Sequence, residues 1–435
     1  MKQKLLNKKR VVITGIGPVS SIGLGKDDIW KNVLAGNTNV ELEKKSVDGK
    51  LWTEFPLHKM SEFNIADFDI DKDALSWIKD WQNGKDNTDL FYLIAAIKLA
   101  IDDSGLDYKK ENNDLGIVLS HENYNLTPFL EEVSDYAYEV LVKSKKKISK
   151  KDFYDDLYKN CVKGGYDVQP FMPLFHLAKV FNIHNYSLFL CTACASGLYG
   201  LESASQIINS GQSKAVIVTA ADHPDVYKYV WFRDLGIYSP DGKIRPFSKD
   251  SNGLVFGDGG SALILEDYDN AKKRGAHIYA EYMGGGFSLE SWQVTVPQVG
   301  SNSYQSAMKK AFEQSSIKKD EIDLLCPHGV GSRVIDYYES KAITDIFGKK
   351  NLPTITTFKP YLGHNLASSA LLETSILLLA MDHNIVPPTL NCENENPEYG
   401  ITLLKKKEEK VIRTAMKICC AFAGYNAATI FRKVD

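Results

Sequence analysis

The sequence of 435 residues contains no uninterrupted apolar run long enough to cross a membrane. A spanning helix needs about 18 or more consecutive apolar residues. The basic N-terminus leads into an apolar segment that Gly15, Gly17 and Pro18 interrupt, so it does not have the apolar core of a signal peptide. These absences predict a cytoplasmic protein without a membrane span.

The sequence also lacks a strong charge of one sign and a cysteine framework. A net charge of −3 argues against a nucleic-acid binder, which usually carries a strongly basic face. The seven cysteines are an odd number without regular spacing, which is typical of a reducing compartment. No second Cys pair or zinc-finger histidine accompanies Cys191-x-x-Cys194, and no P-loop lysine follows the glycines of 253–260. We therefore predict no metal and no cofactor.

Apolar segments of strand length alternate with segments of helical periodicity along most of the chain, which predicts an α/β layered fold. The predicted strands are 10–16, 115–119, 186–190, 214–220, 262–265, 322–326, 401–404, 416–422 and 427–431, and the predicted helices are 90–101, 198–211, 304–314, 334–347 and 366–381. The order of elements begins again near His277, without a visible residue-level repeat. We predict two similar halves, 1–267 and 268–435, with a charged insertion of surface helices at about 127–167.

The segment around Cys194 is predicted to turn from a strand into a helix. At such a turn the unpaired N–H groups and the helix dipole favour a thiolate, so a lowered thiol pKa and a nucleophilic Cys194 are expected. Small neighbours, 193 and 195–197, leave room for a substrate carbonyl. The alternative is that Cys194 is simply a small buried residue, as most cysteines are.

Two histidines follow apolar, strand-like segments in the second half. His328 lies in Cys-Pro-His-Gly and His364 in Leu-Gly-His, and a histidine beside glycines at a strand end can reach a cleft. Near a nucleophilic cysteine, two imidazoles can polarise a thioester carbonyl or stabilise an enolate. Lys359 and Glu373 are close enough in sequence to orient them. A histidine taken alone is more often a structural or surface residue, so the spacing by itself does not establish this role.

These segments together resemble the β-ketoacyl-[acyl-carrier-protein] synthase family of the thiolase-like superfamily. The resemblance covers nearly the whole chain and rests on motifs in the family's order: Val11–Gly17, Thr192–Ser196 around Cys194, Arg245–Asp250 before Gly257-Asp258-Gly259, His328-Gly329, Asp336, Glu339, Lys359, Gly363-His364, Glu373 and Phe422-x-Gly424-x-Asn426.

The resemblance implies a five-layered α-β-α-β-α fold, a dimer and a decarboxylating condensation on a carrier-bound acyl chain. By analogy, Cys194 accepts the acyl group, and the backbone N–H groups of Cys194 and Phe422 form the oxyanion hole. His328 and His364 act on the malonyl unit, Lys359 anchors His328 and Glu373, and Phe422 is the gate of the acyl pocket. The residues that the family's pattern places around the substrate are Ser332, Gly424 and Asn426. The implied partners are an acyl carrier protein and a second subunit, identical or not.

The chain departs from the family's pattern at four places. Val330 lacks the usual hydroxyl, alanines 421 and 423 replace gate-loop glycines, His121-Glu122 begins the segment that replaces a Gly-rich turn, and the 127–167 insertion is long and charged. These departures favour a specialised, polyketide-like pathway over housekeeping fatty-acid elongation. Two alternatives remain open: a non-condensing partner subunit like the chain-length factors, and a thiolase-type enzyme that acts on coenzyme A esters.

Overall fold

A computed structural model of the chain describes residues 9–81, 87–109, 114–122, 124–144 and 147–434. The strands are β1 (Val11–Ser20), β2 (Gly23–Leu24), β3 (Val40–Val47), β4 (Lys50–His58), β5 (Leu115–Ser120), β6 (Ser187–Leu190), β7 (Ala215–Asp222), β8 (Phe256–Gly257), β9 (Gly259–Asp267), β10 (Ala280–Leu289), β11 (Leu324–Cys326), β12 (Thr354–Ile355), β13 (Ile385–Val386), β14 (Glu408–Glu409), β15 (Thr414–Cys420) and β16 (Tyr425–Arg432). The helices are α1 (Gly25–Ala35), α2 (Lys72–Trp81), α3 (Thr88–Ser104), α4 (Leu126–Tyr138), α5 (Lys150–Asp167), α6 (Phe171–Val180), α7 (Ser196–Asn209), α8 (Val226–Asp234), α9 (Tyr268–Lys273), α10 (Ser303–Ser315), α11 (Arg333–Phe347), α12 (Lys359–Leu362) and α13 (Ser369–His383).

The main sheet consists of two sets of strands with the same topology. In the first set the order is β6-β5-β7-β9-β1, and in the second it is β12-β11-β15-β16-β10. Within each set the first two pairings are parallel and the last two are antiparallel. Strands β1 and β10 pair antiparallel and join the two sets. The expectation of two similar halves is therefore confirmed at the level of strand order and direction.

Helices lie between the two sets of strands and on their outer faces. Helix α7 packs against β5 and β7 of the first set and β10 and β16 of the second, while α13 packs against α7, β9 and β15. Helix α3 covers the outer face of β1 and β9, and α10 covers β10 and β16. These contacts give the five-layered α-β-α-β-α arrangement. The middle layer forms much of the core, since nearly all of α13 is buried.

A close approach between helix and strand recurs in both halves at a glycine. A Cβ atom on Gly17 of β1 would lie 2.0 Å from the carbonyl oxygen of Ala96 in α3, and one on Gly286 of β10 would lie 2.0 Å from that of Ala307 in α10. A bulge precedes each glycine, at residues 13–15 and 282–284. The two halves therefore share a glycine at an equivalent place, where any side chain would push the outer helix away.

Three sequence-based predictions need correction. Gly15 and Gly17 predict a turn at the end of the first strand, but β1 continues through residues 15–18 to Ser20 beneath α3. Residues 401–404 are not a strand, although Leu404 donates its N–H to Ile355. The apolar run 186–190 predicts a buried strand, but β6 is only partly buried, because it is the last strand of its set and its outer edge is unpaired within the described residues.

The insertion forms surface helices, as its charge pattern predicted. Helix α4 continues into a π-helical turn, Glu139–Lys143, and α5 follows. In the basic cluster of 143–151, Lys143 is paired with Glu139 and Lys151 with Asp155, each one turn away. Lys145 and Lys146 lie outside the described residues. The pairing favours a solvated face over a docking site for an acidic partner.

No helix among the described residues is long and apolar enough to cross a lipid bilayer.

Candidate active site

Cys194 lies on a tight turn between the edge strand β6 and helix α7. The turn is held by Ser196, whose Oγ accepts the N–H of Thr192 at 2.8 Å and donates to the carbonyl of Ala193 at 2.6 Å. Ala193 has a φ of 50°, a left-handed conformation that costs a non-glycine residue about 1 kcal/mol or more. The turn thus places the thiol just ahead of the helix N-terminus, as predicted.

The charge state of Cys194 differs from the sequence-based expectation. Only 7% of the residue is exposed, and burial raises the pKa of its thiol well above the ordinary value. The carboxylate of Glu122 adds to this shift, and the ammonium of Lys359 opposes it. The resting thiol is therefore protonated. The prediction of a lowered pKa was wrong because the sequence reveals a nearby helix N-terminus but not the degree of burial.

His328 and His364 converge on Cys194 from the second half. The sulfur of Cys194 and one ring nitrogen of each histidine all lie within 4.8 Å of one another. The two imidazole rings are 5.5 Å apart and nearly perpendicular. Nδ1 of His364 accepts the N–H of Leu366 at 3.1 Å, so its proton is on Nε2. Burial lowers the pKa of both rings, that of His364 to about 3, so both are neutral at pH 7.

A group of three buried charges lies beneath the histidines. Lys359 donates to one oxygen of Glu373 and, at 2.7 Å, to the carbonyl of His328. Lys417 donates to the other oxygen of Glu373 at 2.6 Å and to the carbonyl of Pro327 at 2.9 Å. Burial raises the pKa of Glu373, but the two ammonium groups outweigh burial and lower it. The backbone of His328 is thus anchored to this buried cluster.

Two carboxylates of α11 hold the loop that carries His328. Glu339 accepts the N–H groups of His328 at 2.7 Å and of Gly329 at 2.8 Å. Asp336 accepts the N–H of Gly331 at 3.2 Å. Both acids are completely buried, and burial raises the pKa of each, that of Asp336 to about 8. They fix the loop without facing the thiol.

A pocket above Cys194 gathers the remaining predicted residues. Its walls include His328, His364 and the four other positions taken from the resemblance, Ser332, Phe422, Gly424 and Asn426. The ring of Phe422 stacks on Phe232, with centroids 5.2 Å apart. The loop that carries it is tied down on one side, since Ala423 donates its N–H to Val294 at 2.6 Å. Lys359 and Glu373 lie behind this pocket and do not line it.

The sequence-based reasoning missed Lys417 and Cys419. Lys417 is fully buried, and the sulfur of Cys419 lies 3.4 Å from Nδ1 of His328 and 3.4 Å from the carbonyl oxygen of Cys194. One signal was available: a lysine in the middle of the apolar run 415–420 is rarely buried without a charged partner.

The triangle of one thiol and two imidazoles consists of donor types that also ligate zinc. Cys194 would be one of the three ligands, so a metal ion bound there would occupy its thiol. The arrangement can supply a nucleophile, two neutral hydrogen-bond donors or acceptors, and a nearby positive charge.

Comparison with known families places the chain among proteins of related sequence. Residues 8–271 match the family model "Beta-ketoacyl synthase, N-terminal domain", and residues 279–393 match "Beta-ketoacyl synthase, C-terminal domain". The chain is 27% identical to 3-oxoacyl-[acyl-carrier-protein] synthase 2 of Coxiella burnetii over 441 residues, covering 99% of this chain and 100% of that protein. It is also 27% identical to nodulation protein E of Rhizobium sp. strain N33 over 442 residues, covering 98% and 100%.

Solved structures share the fold. The ishigamide ketosynthase/chain length factor matches with a TM-score of 0.83 at 24% identity, covering 98% of this chain and 100% of that one. A β-ketoacyl synthase from Burkholderia phymatum STM815 matches with a TM-score of 0.80 at 22% identity, with the same coverage.

Proposed function

The chain belongs to the β-ketoacyl synthase family, and from that premise we propose that it is an acyltransferase that forms carbon–carbon bonds on carrier-bound acyl chains, with Cys194 as its nucleophile. The observation that supports this assignment is the convergence of the Cys194 sulfur and the two imidazoles within 4.8 Å. We propose that the acyl donors are thioesters of an acyl carrier protein, the carrier in the name of the Coxiella relative.

In the first step Cys194 takes the acyl group from the carrier. The sulfur attacks the thioester carbonyl, the bond to the carrier's sulfur breaks, and the thiol proton ends on the carrier's sulfur. Because the resting thiol is protonated, its proton must leave as the sulfur attacks, and the departing carrier sulfur is its final acceptor. The N–H groups of Cys194 and Phe422 are proposed to hold the tetrahedral oxyanion.

In the second step a malonyl thioester loses carbon dioxide. The carbon–carbon bond breaks, and its electron pair forms an enolate whose oxygen the Nε2–H of His364 stabilises. The enolate carbon then attacks the acyl carbonyl, and the bond to Cys194 breaks. The Cys194 thiolate that leaves takes a proton from solvent, which replaces the one released with the carrier in the first step and completes the cycle. Lys359 and Glu373 act through His328, whose backbone they anchor.

We further propose that the enzyme acts in a specialised, polyketide-like pathway. Two alanines in the gate loop, at 421 and 423, support it, because Ala423 at a φ of 57° makes the loop stiffer than glycine would. We also propose that 1–267 supplies the nucleophile and 268–435 the His, Lys and Glu residues. The edge of β6, unpaired among the described residues, is proposed to meet a second subunit.

A chain-length-factor-like role is the second candidate function. Its supporting observation is the fold similarity to a ketosynthase/chain length factor complex. The presence of Cys194 beside both histidines counts against it, because a subunit without condensing activity has no use for that arrangement.

Intact-mass detection of acyl-enzyme tests the assignment. The protein is incubated with an acyl-carrier thioester, and we expect one acyl adduct on the wild type, none on Cys194→Ala, and one on Cys191→Ala. Cys191 is the matched control, since it is an exposed thiol three residues away. Absence of an adduct on the wild type, or an adduct on Cys194→Ala, would contradict the proposed nucleophile.

A further inference from the structure

A second, larger cavity lies beside the Cys194 pocket. It has a volume of about 1300 Å³ and runs between the β3–β4 hairpin, α4 and α8; we call it the side groove. Trp52, Leu130 and Trp231 are among its apolar walls. Phe232 lines both the side groove and the Cys194 pocket, and Phe422 stacks on it. The two cavities therefore adjoin at the ring of Phe232.

The side groove also carries charge, and its charge is mainly negative. Its lining includes six carboxylates and three ammonium groups: Asp48, Glu122, Glu131, Asp135, Glu139 and Asp234, with Lys45, Lys143 and Lys228. An acidic partner surface would be repelled there. A flexible chain with an apolar body and some polar atoms suits the lining better.

Glu122 is the groove residue with an electrostatic effect on the nucleophile. Its charge is the second cause, after burial, of the raised pKa of Cys194. Its N–H donates to Asp222 at 3.2 Å, and its carbonyl accepts from Lys228 at 3.2 Å. Lys228 is 4% exposed, and its Nζ lies 3.8 Å from Asp222. The backbone of Glu122 is thus fixed by buried charges.

The side chain of Glu122 is less well hydrogen-bonded than its backbone. Its Oε1 is shielded from solvent and has no hydrogen-bond partner among the residues that the structure describes. An unpaired buried oxygen is costly, and an alkyl chain packed against it would keep it unpaired. A hydroxyl group can donate to it, and a keto group can accept from it when it is protonated.

Resting on the function proposed above, we propose that the side groove receives the acyl chain bound to Cys194 and that Glu122 selects chains bearing a hydroxyl or keto group over saturated alkyl chains. The carboxyl suits both groups, since burial, with Asp222 adding to it, raises the pKa of Glu122 to about 7. Both protonation states are then present near neutral pH. The selectivity acts on acylation and loading, before any decarboxylation.

The test compares acylation rates of Cys194 by pantetheine thioesters of octanoate and of octanoates hydroxylated at carbon 3, 5 or 7. In the wild type we expect at least one hydroxylated chain to react roughly tenfold or more faster than octanoate, the factor that pairing a buried polar group typically supplies. In Glu122→Leu this ratio should fall to within about twofold of one. Glu131→Leu is the matched control, because Glu131 is an exposed acid of the same groove, and it should keep the wild-type ratio.

Glu122→Gln is a second variant, for the case that Glu122→Leu does not fold. Glutamine keeps the size of the side chain and a hydrogen-bonding group but cannot ionise. It should retain part of the preference for the hydroxylated chain. A wild type that reacts fastest with octanoate, or a Glu122→Leu variant with an unchanged ratio, would overturn the selectivity proposal. A wild type that none of the thioesters acylates would instead overturn the proposed function, so the two failures are distinguishable.

Discussion

The carboxylate of Glu373 offers the sharpest test of the buried charges, because two ammonium groups share it. Glu373→Gln and Lys417→Met each remove one charge from the same cluster. The first leaves two cations facing a neutral amide in a site without solvent. The second leaves the intact ion pair of Lys359 and Glu373. We therefore expect Glu373→Gln to be the more destabilising change by a clear margin.

The magnitudes follow from the contacts. An uncompensated buried charge costs roughly 3–5 kcal/mol of unfolding free energy, which is the expected loss for Glu373→Gln. Lys417→Met loses hydrogen bonds of 2.6 Å to Glu373 and 2.9 Å to Pro327, but the methionine fills most of the space. Its expected loss is about 1–3 kcal/mol. Lys341→Met, which removes an exposed one-turn ion pair with Asp345, is the control, with an expected loss below about 0.5 kcal/mol.

The pH dependence has a definite sign. The pKa of Glu373 in the folded protein lies below its ordinary value of 4.5, so its ionisation stabilises the fold above that pH, and this contribution disappears as pH falls through the folded pKa. The stability gap between the wild type and Glu373→Gln should be full at pH 7.5 and should shrink in acid. Urea unfolding of the four proteins at several pH values measures it. If Lys417→Met cost as much as Glu373→Gln, the balance of charges described above would be wrong.

Three further predictions concern the histidines and the insertion. His328→Ala and His364→Ala should each still allow acylation of Cys194 while slowing malonyl decarboxylation roughly a hundredfold, measured by intact mass beside carbon dioxide release; loss of acylation in both would mean that the imidazoles activate the thiol instead. The pKa of His364 is about 3 in the folded protein, against an ordinary 6.5. Between pH 7 and 4.5 the unfolded chain therefore takes up a proton at this residue, which lowers the free energy of unfolding by about 2.5 kcal/mol. In His364→Gln the pH profile of the unfolding free energy should be flatter by that amount. Lys150→Glu with Lys151→Glu should leave carrier-dependent turnover within about twofold, because Lys151 already has an acidic neighbour on its own helix; a slower, less salt-sensitive reaction would restore the docking hypothesis.

Much of the fold could be predicted because the spacing of apolar residues in the sequence matches the buried faces of the helices and strands. Helix α3 extends only a few residues beyond its predicted range, and Asn87, whose side chain caps the helix at Leu90, sets its first turn. The error at Gly15 and Gly17 has a spatial cause. Glycines usually punctuate strands, but these two remain in β1 so that α3 can approach it, and that neighbour is 80 residues away in sequence.

The parts of the site that depend on tertiary packing could not be predicted from the sequence. Strand ends and the family resemblance pointed to Cys194, His328 and His364, and the structure brings these three together. The buried environment of Lys417 depends on β15 lying next to β11, which no local pattern encodes. The same applies to Glu122, whose effect on the thiol arises from the fold around α8 and α7.

The division of the site between two halves of equal topology bears on protein synthesis. Chains emerge from the ribosome N-terminal end first, so the half that carries Cys194 is made before either imidazole exists. The Cys194 of this half lacks the neighbours that the C-terminal half supplies. The two imidazoles and α13 reach it only when the C-terminal half packs against α7, so the site is assembled last.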